Sequence, residues 1–131
     1  MGRRSPLNRE HGAAAVEFAL VAPLLILLVF GIIEFGRAWS ARNVYISAAR
    51  EGARVAAVGG DVDDIEARVD EASAPYTPPA AITISPSGTT PCADNAGEPV
   101  EISWTQTFEL NIAFFTWAPG SYTVSSVFQC E

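Results

Sequence analysis

One carboxylate constrains this chain more than any other residue: Glu17 is the only charged side chain in an apolar run covering residues 13–33. That run is about 21 residues long, roughly 31 Å as an α-helix, which matches the hydrocarbon thickness of a bilayer. A carboxylate within such a segment costs on the order of 2.5–3.5 kcal/mol at the centre and less toward an edge. The eleven Leu, Ile, Val and Phe residues at 20–33 each favour insertion by about 0.3–0.6 kcal/mol, so the helix is expected to enter a membrane. Insertion tolerates Glu17 without explaining it.

The residues around Glu17 supply a reason. Residues 1–12 form a short basic leader with Arg3, Arg4 and Arg9, ending at Gly12 directly before Ala13. A glycine five residues ahead of Glu17-Phe18, behind a positive leader, resembles the processing site of type IV prepilins. The similarity extends through Ala19-Leu20, Pro23-Leu24-Leu25, Gly31-Ile32-Ile33-Glu34-Phe35-Gly36-Arg37 and Ala48-Ala49-Arg50-Glu51-Gly52-Ala53-Arg54. Over residues 12–54, about a third of the chain, this pattern resembles the TadE-like family, pseudopilins of the tight-adherence (Flp) pilus machinery. The resemblance implies cleavage between Gly12 and Ala13 by a membrane prepilin peptidase. It implies an assembly and registry role for Glu17 and Phe18. It also implies work with an Flp-type pilin, other pseudopilins, an inner-membrane platform and a secretion ATPase.

Two other readings of the same segment stay open. A basic leader and an apolar run also make a plain signal anchor carrying an extracytoplasmic binding module. Alternatively, Ala38-Trp39-Ser40 imitates the small-x-small site of a cleaved secretory signal, which would release a soluble domain. Against cleavage there, the run exceeds an ordinary signal core of about 7–15 residues, Glu34 and Arg37 interrupt the approach, and the helical pattern continues past the site.

Charge divides along the chain. Residues 1–54 carry seven Arg against four acids, whereas residues 61–131 carry eleven acids against Arg68 alone. An acidic distal part excludes the basic footprint that nucleic-acid binding requires. Arginines on both sides of the span leave the positive-inside rule nearly balanced, so orientation is argued from the cysteines. Cys92 and Cys130, the two cysteines of the chain, read as one disulfide in an oxidising compartment, which puts the C-terminal domain outside and the N-terminus in the cytoplasm. Such a staple suits a domain with so small a core.

Beyond the span, Phe35, Trp39, Ile46, Ala49, Ala53 and Ala56 recur at helical spacing and predict an amphipathic continuation over 34–58, ended by Gly59-Gly60. Ala48, Ala49, Ala53, Ala56 and Ala57 allow a close approach of other elements. A short helix is expected within 59–74, with Asp63 and Glu66 as a capping-box-like start. Residues 75–131 read as a β-domain: a strand at 81–85, a loop at 86–99, a long alternating strand through Val100, Ile102, Trp104, Phe108 and Leu110, a turn at Ala118-Pro119-Gly120, and a final strand through Tyr122, Val124 and Phe128. The expected fold is α+β, a long N-terminal helix and a short second helix with a small antiparallel sheet packed on the first.

Catalytic chemistry finds little purchase. His11 is the one histidine and belongs to the leader, and the sequence contains no nucleophile elbow, phosphate loop or dinucleotide fingerprint. The acids at 61–66 lack the central Gly and distal Glu of a calcium loop, and acids in a first helical turn suit the helix dipole. We therefore expect no catalytic residue, metal or cofactor, and a structural protein with membrane lipid among its partners.

Overall fold

A single helix, α1 (Leu7–Ala57), accounts for 51 residues and carries Pro23 inside it. The computed structural model describes residues 7–77, 79, 81–112 and 115–131, so Arg3 and Arg4 of the leader lie outside the described residues. Helix α2 (Val62–Ser73) and strands β1 (Thr83–Ser85), β2 (Pro99–Ile112) and β3 (Phe115–Gln129) follow. The three strands form one antiparallel sheet in the order β1-β2-β3. This is the expected α+β arrangement.

Helix α1 stops through backbone chemistry that the Gly59-Gly60 pair makes possible. Gly59 takes φ +89°, its N–H donates to Ala56 O at 3.1 Å, and the Gly60 N–H donates to Val55 O at 2.9 Å. These two bonds make a Schellman turn, which satisfies carbonyls that a helix end leaves orphaned. The Glu131 N–H donates to Ala57 O at 3.0 Å and satisfies another, so the last residue of the chain is tied to the end of its first helix.

Helix α2 is capped two residues earlier than expected. Asp61, in extended backbone, accepts the Asp64 N–H at 2.9 Å, so the N-cap is Asp61 and not Asp63. Ile65, Val69 and Ser73 are its buried residues, four apart as one helical face requires. The Ser73 hydroxyl donates to Val69 O at 2.7 Å, which removes the cost of burying it.

Strand β2 shows the alternation expected of it, with Val100, Ile102 and Trp104 buried between exposed Glu101 and Thr105. Two corrections concern its neighbours. Ala81 and Ile82 lie outside the ladder, whose β1 part is Thr83–Ser85. Ala118, Pro119 and Gly120 are no turn: they lie within β3. The register passes from Phe108↔Gly120 to Leu110↔Trp117, so Ala118 and Pro119 oppose Glu109 alone in a bulge. Proline is tolerated there because β3 is an edge strand and a bulge residue has no ladder bond to lose.

The core lies between the distal half of α1, α2 and the sheet, and comprises Ala48, Ala49, Ala53, Ala56, Ile65, Val69, Val100, Ile102, Trp104 and Val124 with their neighbours. The alanines expected to permit close approach are those that do so. The stripe itself needs correction: Phe35 and Trp39 are 62% and 56% exposed, and the buried face of α1 begins at Tyr45. The sheet covers only the distal part of the helix, and small residues on α1 bring the three layers together. A Cβ on Gly52 would lie 2.5 Å from Val69 Cγ2 and 3.3 Å from Ile102 Cδ1, which marks the tightest crossing of α1, α2 and β2.

Candidate processing and assembly site

Gly12, Ala13, Glu17 and Phe18 all stand on the N-terminal half of α1 and are all exposed. Ala13 and Glu17 are four residues apart, which places them on one face with about 6 Å of rise between them. Among the described residues Glu17 has neither a hydrogen bond nor an ion pair. Residues 20–33 present Leu20, Leu24, Leu27, Phe30 and Ile32 at 43–74% exposure, so in a single copy this half of the helix touches nothing but itself. The most apolar window of the helix has a mean hydropathy of 2.7 and no buried share, which is enough length and apolarity for one membrane crossing.

Gly12 is not demanded by packing. A Cβ there would meet nothing within 4 Å, and the same holds at Gly31 and Gly36. Glycine inside a helix costs about 1 kcal/mol relative to alanine. The fold of this chain therefore gives no reason for Gly12, in contrast to Gly52, which sits at a packing crossing.

At the other end of the molecule the structure brings Cys92 and Cys130 together as a disulfide, with Cα atoms 5.3 Å apart. Backbone bonds flank it. Cys130 N–H donates to Glu98 O and Gly97 N–H donates to Cys130 O, both at 2.9 Å, so the 86–99 loop is stitched to the chain end. Val62 N–H donates to Thr89 O at 3.0 Å and ties the same loop to the start of α2. The head is thus closed at the end of the molecule remote from Glu17.

Between the two regions lies a collar of aromatic residues and arginine that the sequence pattern did not reveal. The Arg42 guanidinium stands 6.0 Å from the Trp39 ring and 5.8 Å from the Tyr122 ring. Tyr45 meets Trp104 edge-on at 6.3 Å, and its hydroxyl donates to Thr77 O at 2.8 Å. Burial raises the pKa of Tyr45 above the ordinary phenol value, reinforced by Tyr76, and burial does the same to Tyr122, with Tyr45 adding and Arg42 opposing. Glu34 and Arg37 form an i,i+3 pair at 3.3 Å, one turn nearer the apolar run. Arg68 joins α2 to α1 through Glu51 at 3.1 Å while also pairing Glu71 at 2.8 Å, an exposed arrangement of small energetic weight. Of this collar only Trp39 stood in the predicted stripe, because the other members outside α1 come from β2, β3 and the 74–77 segment.

Among the described residues no group of three or more His, Cys, Asp or Glu side chains is placed to hold a metal ion. Neither a curated protein nor a solved structure matches the chain. The family model described as TadE-like protein matches residues 12–54. That span starts at Gly12, contains Glu17 and ends on the buried, small-residue half of α1. From Gly12 to Arg54, therefore, about a third of its length, this chain is similar to the TadE-like family, and that third lies on one apolar N-terminal helix.

Proposed function

We propose that the chain is a pseudopilin of a tight-adherence (Flp) pilus system, a structural or assembly subunit rather than an enzyme. Residues 13–33 span the cell membrane, with the leader in the cytoplasm and the disulfide-closed head on the outer side. A prepilin peptidase removes residues 1–12. The mature subunit then works with the Flp-type pilin, other pseudopilins, the inner-membrane platform and the secretion ATPase.

One observation carries this reading. Glu17, unpartnered within its own copy, stands in an otherwise uncharged exposed half-helix, four residues after Ala13 and five after a glycine that packing does not require. Cleavage after Gly12 leaves a cationic amine on Ala13 at nearly the depth of that carboxylate. In lipid each charge is unfavourable alone, and a neighbouring subunit resolves both by offering its Ala13 amine to Glu17. Opposite charges paired in a low dielectric specify register more strongly than apolar contact does.

Mass spectrometry of the membrane-extracted protein tests the reading. The expected N-terminal residue is Ala13. Retention of Met1 would favour a plain membrane-anchored binding module, and an N-terminus at Ala41 would favour a secreted domain.

A further inference from the structure

Heights along α1 can be read from what the sheet touches. The Cβ position of Gly52 lies 3.3 Å from Ile102, Tyr45 stacks edge-on against Trp104, and Phe108 shares one concavity with Phe35, Ala38 and Trp39. Strand β2 therefore descends along α1 toward the apolar half. From Ile102 to Phe108 is about 20 Å of strand, and from Gly52 back to Ala38 is about 21 Å of helix, so the two elements run side by side without divergence. Leu110 and its ladder partner Trp117 lie about 7 Å further down. That depth is level with the last residues of the 13–33 run.

The surface at this level carries an exposed tryptophan beside charges that suit a headgroup layer, Glu109 on β2 and the Glu34–Arg37 pair on α1. Trp117 is 52% exposed on an edge strand, and residues 110–130 contain no charged side chain. Leu110, opposite it, is half-buried. Trp39 stands about 9 Å past Ile33, within or beside the headgroup layer. Tryptophan is enriched at that depth because its ring is apolar and its N–H remains wet.

We propose that the membrane-proximal end of the β2–β3 hairpin is a second membrane contact, with Leu110 and Trp117 seated in the interfacial layer of the same bilayer that α1 crosses. The inference rests on reading residues 13–33 as the span. Its occupant is lipid because this end of the hairpin is continuous in height with the end of the span, and the exposed ring it presents there is a tryptophan. The head is then held by two points, α1 and the hairpin, which fixes its tilt relative to the membrane plane. A subunit leaving the bilayer must release the hairpin as well as the helix.

Quenching by brominated phosphatidylcholine in reconstituted vesicles of the full chain measures this. Three variants each keep one tryptophan and replace the other two by phenylalanine. The variant that keeps Trp117 is expected to lose emission to shallow bromines as strongly as the variant that keeps Trp39, while the one that keeps Trp104, buried in the head, is unaffected. In the otherwise unaltered chain, Trp117→Phe, which leaves the core intact, should remove a bromine-quenched part of the emission. Quenching of Trp39 without Trp117 would overturn the proposal and leave the span standing. Quenching of neither would remove the span reading and this inference with it. Shielding of Trp117 from aqueous iodide that grows with protein density, without bromine quenching, would assign this surface to a second copy and refute the lipid assignment.

Discussion

The two halves of α1 obey opposite rules within one unbroken helix. Residues 12–33 expose large apolar side chains such as Leu20, Leu24 and Phe30, whereas residues 45–57 bury small ones, with Ala48, Ala49, Ala53 and Ala56 fully covered. In the first half the glycines Gly12 and Gly31 border open space, and in the second Gly52 borders Val69 and Ile102. Large side chains suit a solvent of lipid tails, where surface needs only to be apolar. Small ones suit contact with folded protein, where the backbone must approach closely. The helix thus records, residue by residue, what each half is meant to touch.

The largest expected effect lies in the first half. Glu17→Ala should insert and be cleaved as the native chain is, since it makes the span more apolar, but should abolish assembly, read as loss of copurification with partner pilins and loss of pili. Glu17→Gln should fail in the same way because it keeps the shape and removes the charge. Normal piliation in both variants would reduce Glu17 to a recognition feature for the peptidase.

The next effect belongs to the head. Closing the loop between Cys92 and Cys130, 38 residues apart in sequence, limits the unfolded chain and contributes about 4 kcal/mol in the chain-entropy model. Cys130→Ser should therefore lower the melting temperature of the head measured by circular dichroism, without altering insertion of the helix. Thiol labelling of the unreduced native protein should mark neither cysteine.

A glycine pair sharpens the comparison further. Gly52→Ala drives a methyl into Val69 and should destabilise the head by about 1–3 kcal/mol despite the better helix propensity of alanine. Gly31→Ala meets open space and should leave head stability unchanged in the same denaturation experiment. Equal effects would mean that the halves do not differ as described.

The smallest effect is alkaline. Tyr45 and Tyr122 have pKa values raised by burial above the ordinary 10.0, so the fold favours their neutral phenols. The stability this contributes is fully present below pH 10 and is lost as pH rises through the raised values. The melting temperature should fall in that range, and less so in Tyr45→Phe, which has one fewer group to ionise.

Much of this was legible in the sequence because periodicity and spacing are local. The apolar half of α1, the Gly59-Gly60 stop and the inward face of β2 follow from neighbours along the chain, and the disulfide partners from there being only two cysteines. The misreadings share a different cause. Phe35 and Trp39 fit the helical stripe, yet α1 buries side chains only from Tyr45 onward, and no local pattern reports where a distant element packs closely enough to cover them. Ala118-Pro119-Gly120 carries turn chemistry that a β-bulge uses equally well, and pairing with Phe108 and Leu110 decides between the two. Arg42 between Trp39 and Tyr122 was invisible for the same reason, since Tyr122 arrives from the other end of the chain.

The central claim, that one helix passes between two solvents, is tested most directly by thiol accessibility in membranes. Leu25 and Arg50 are both exposed in the isolated chain, so Leu25→Cys and Arg50→Cys would label alike if water surrounded both. In intact vesicles with the head facing outward, an impermeant maleimide should label the Arg50→Cys variant and spare the Leu25→Cys variant until detergent and denaturant are added. Equal labelling of both in intact vesicles would contradict the account.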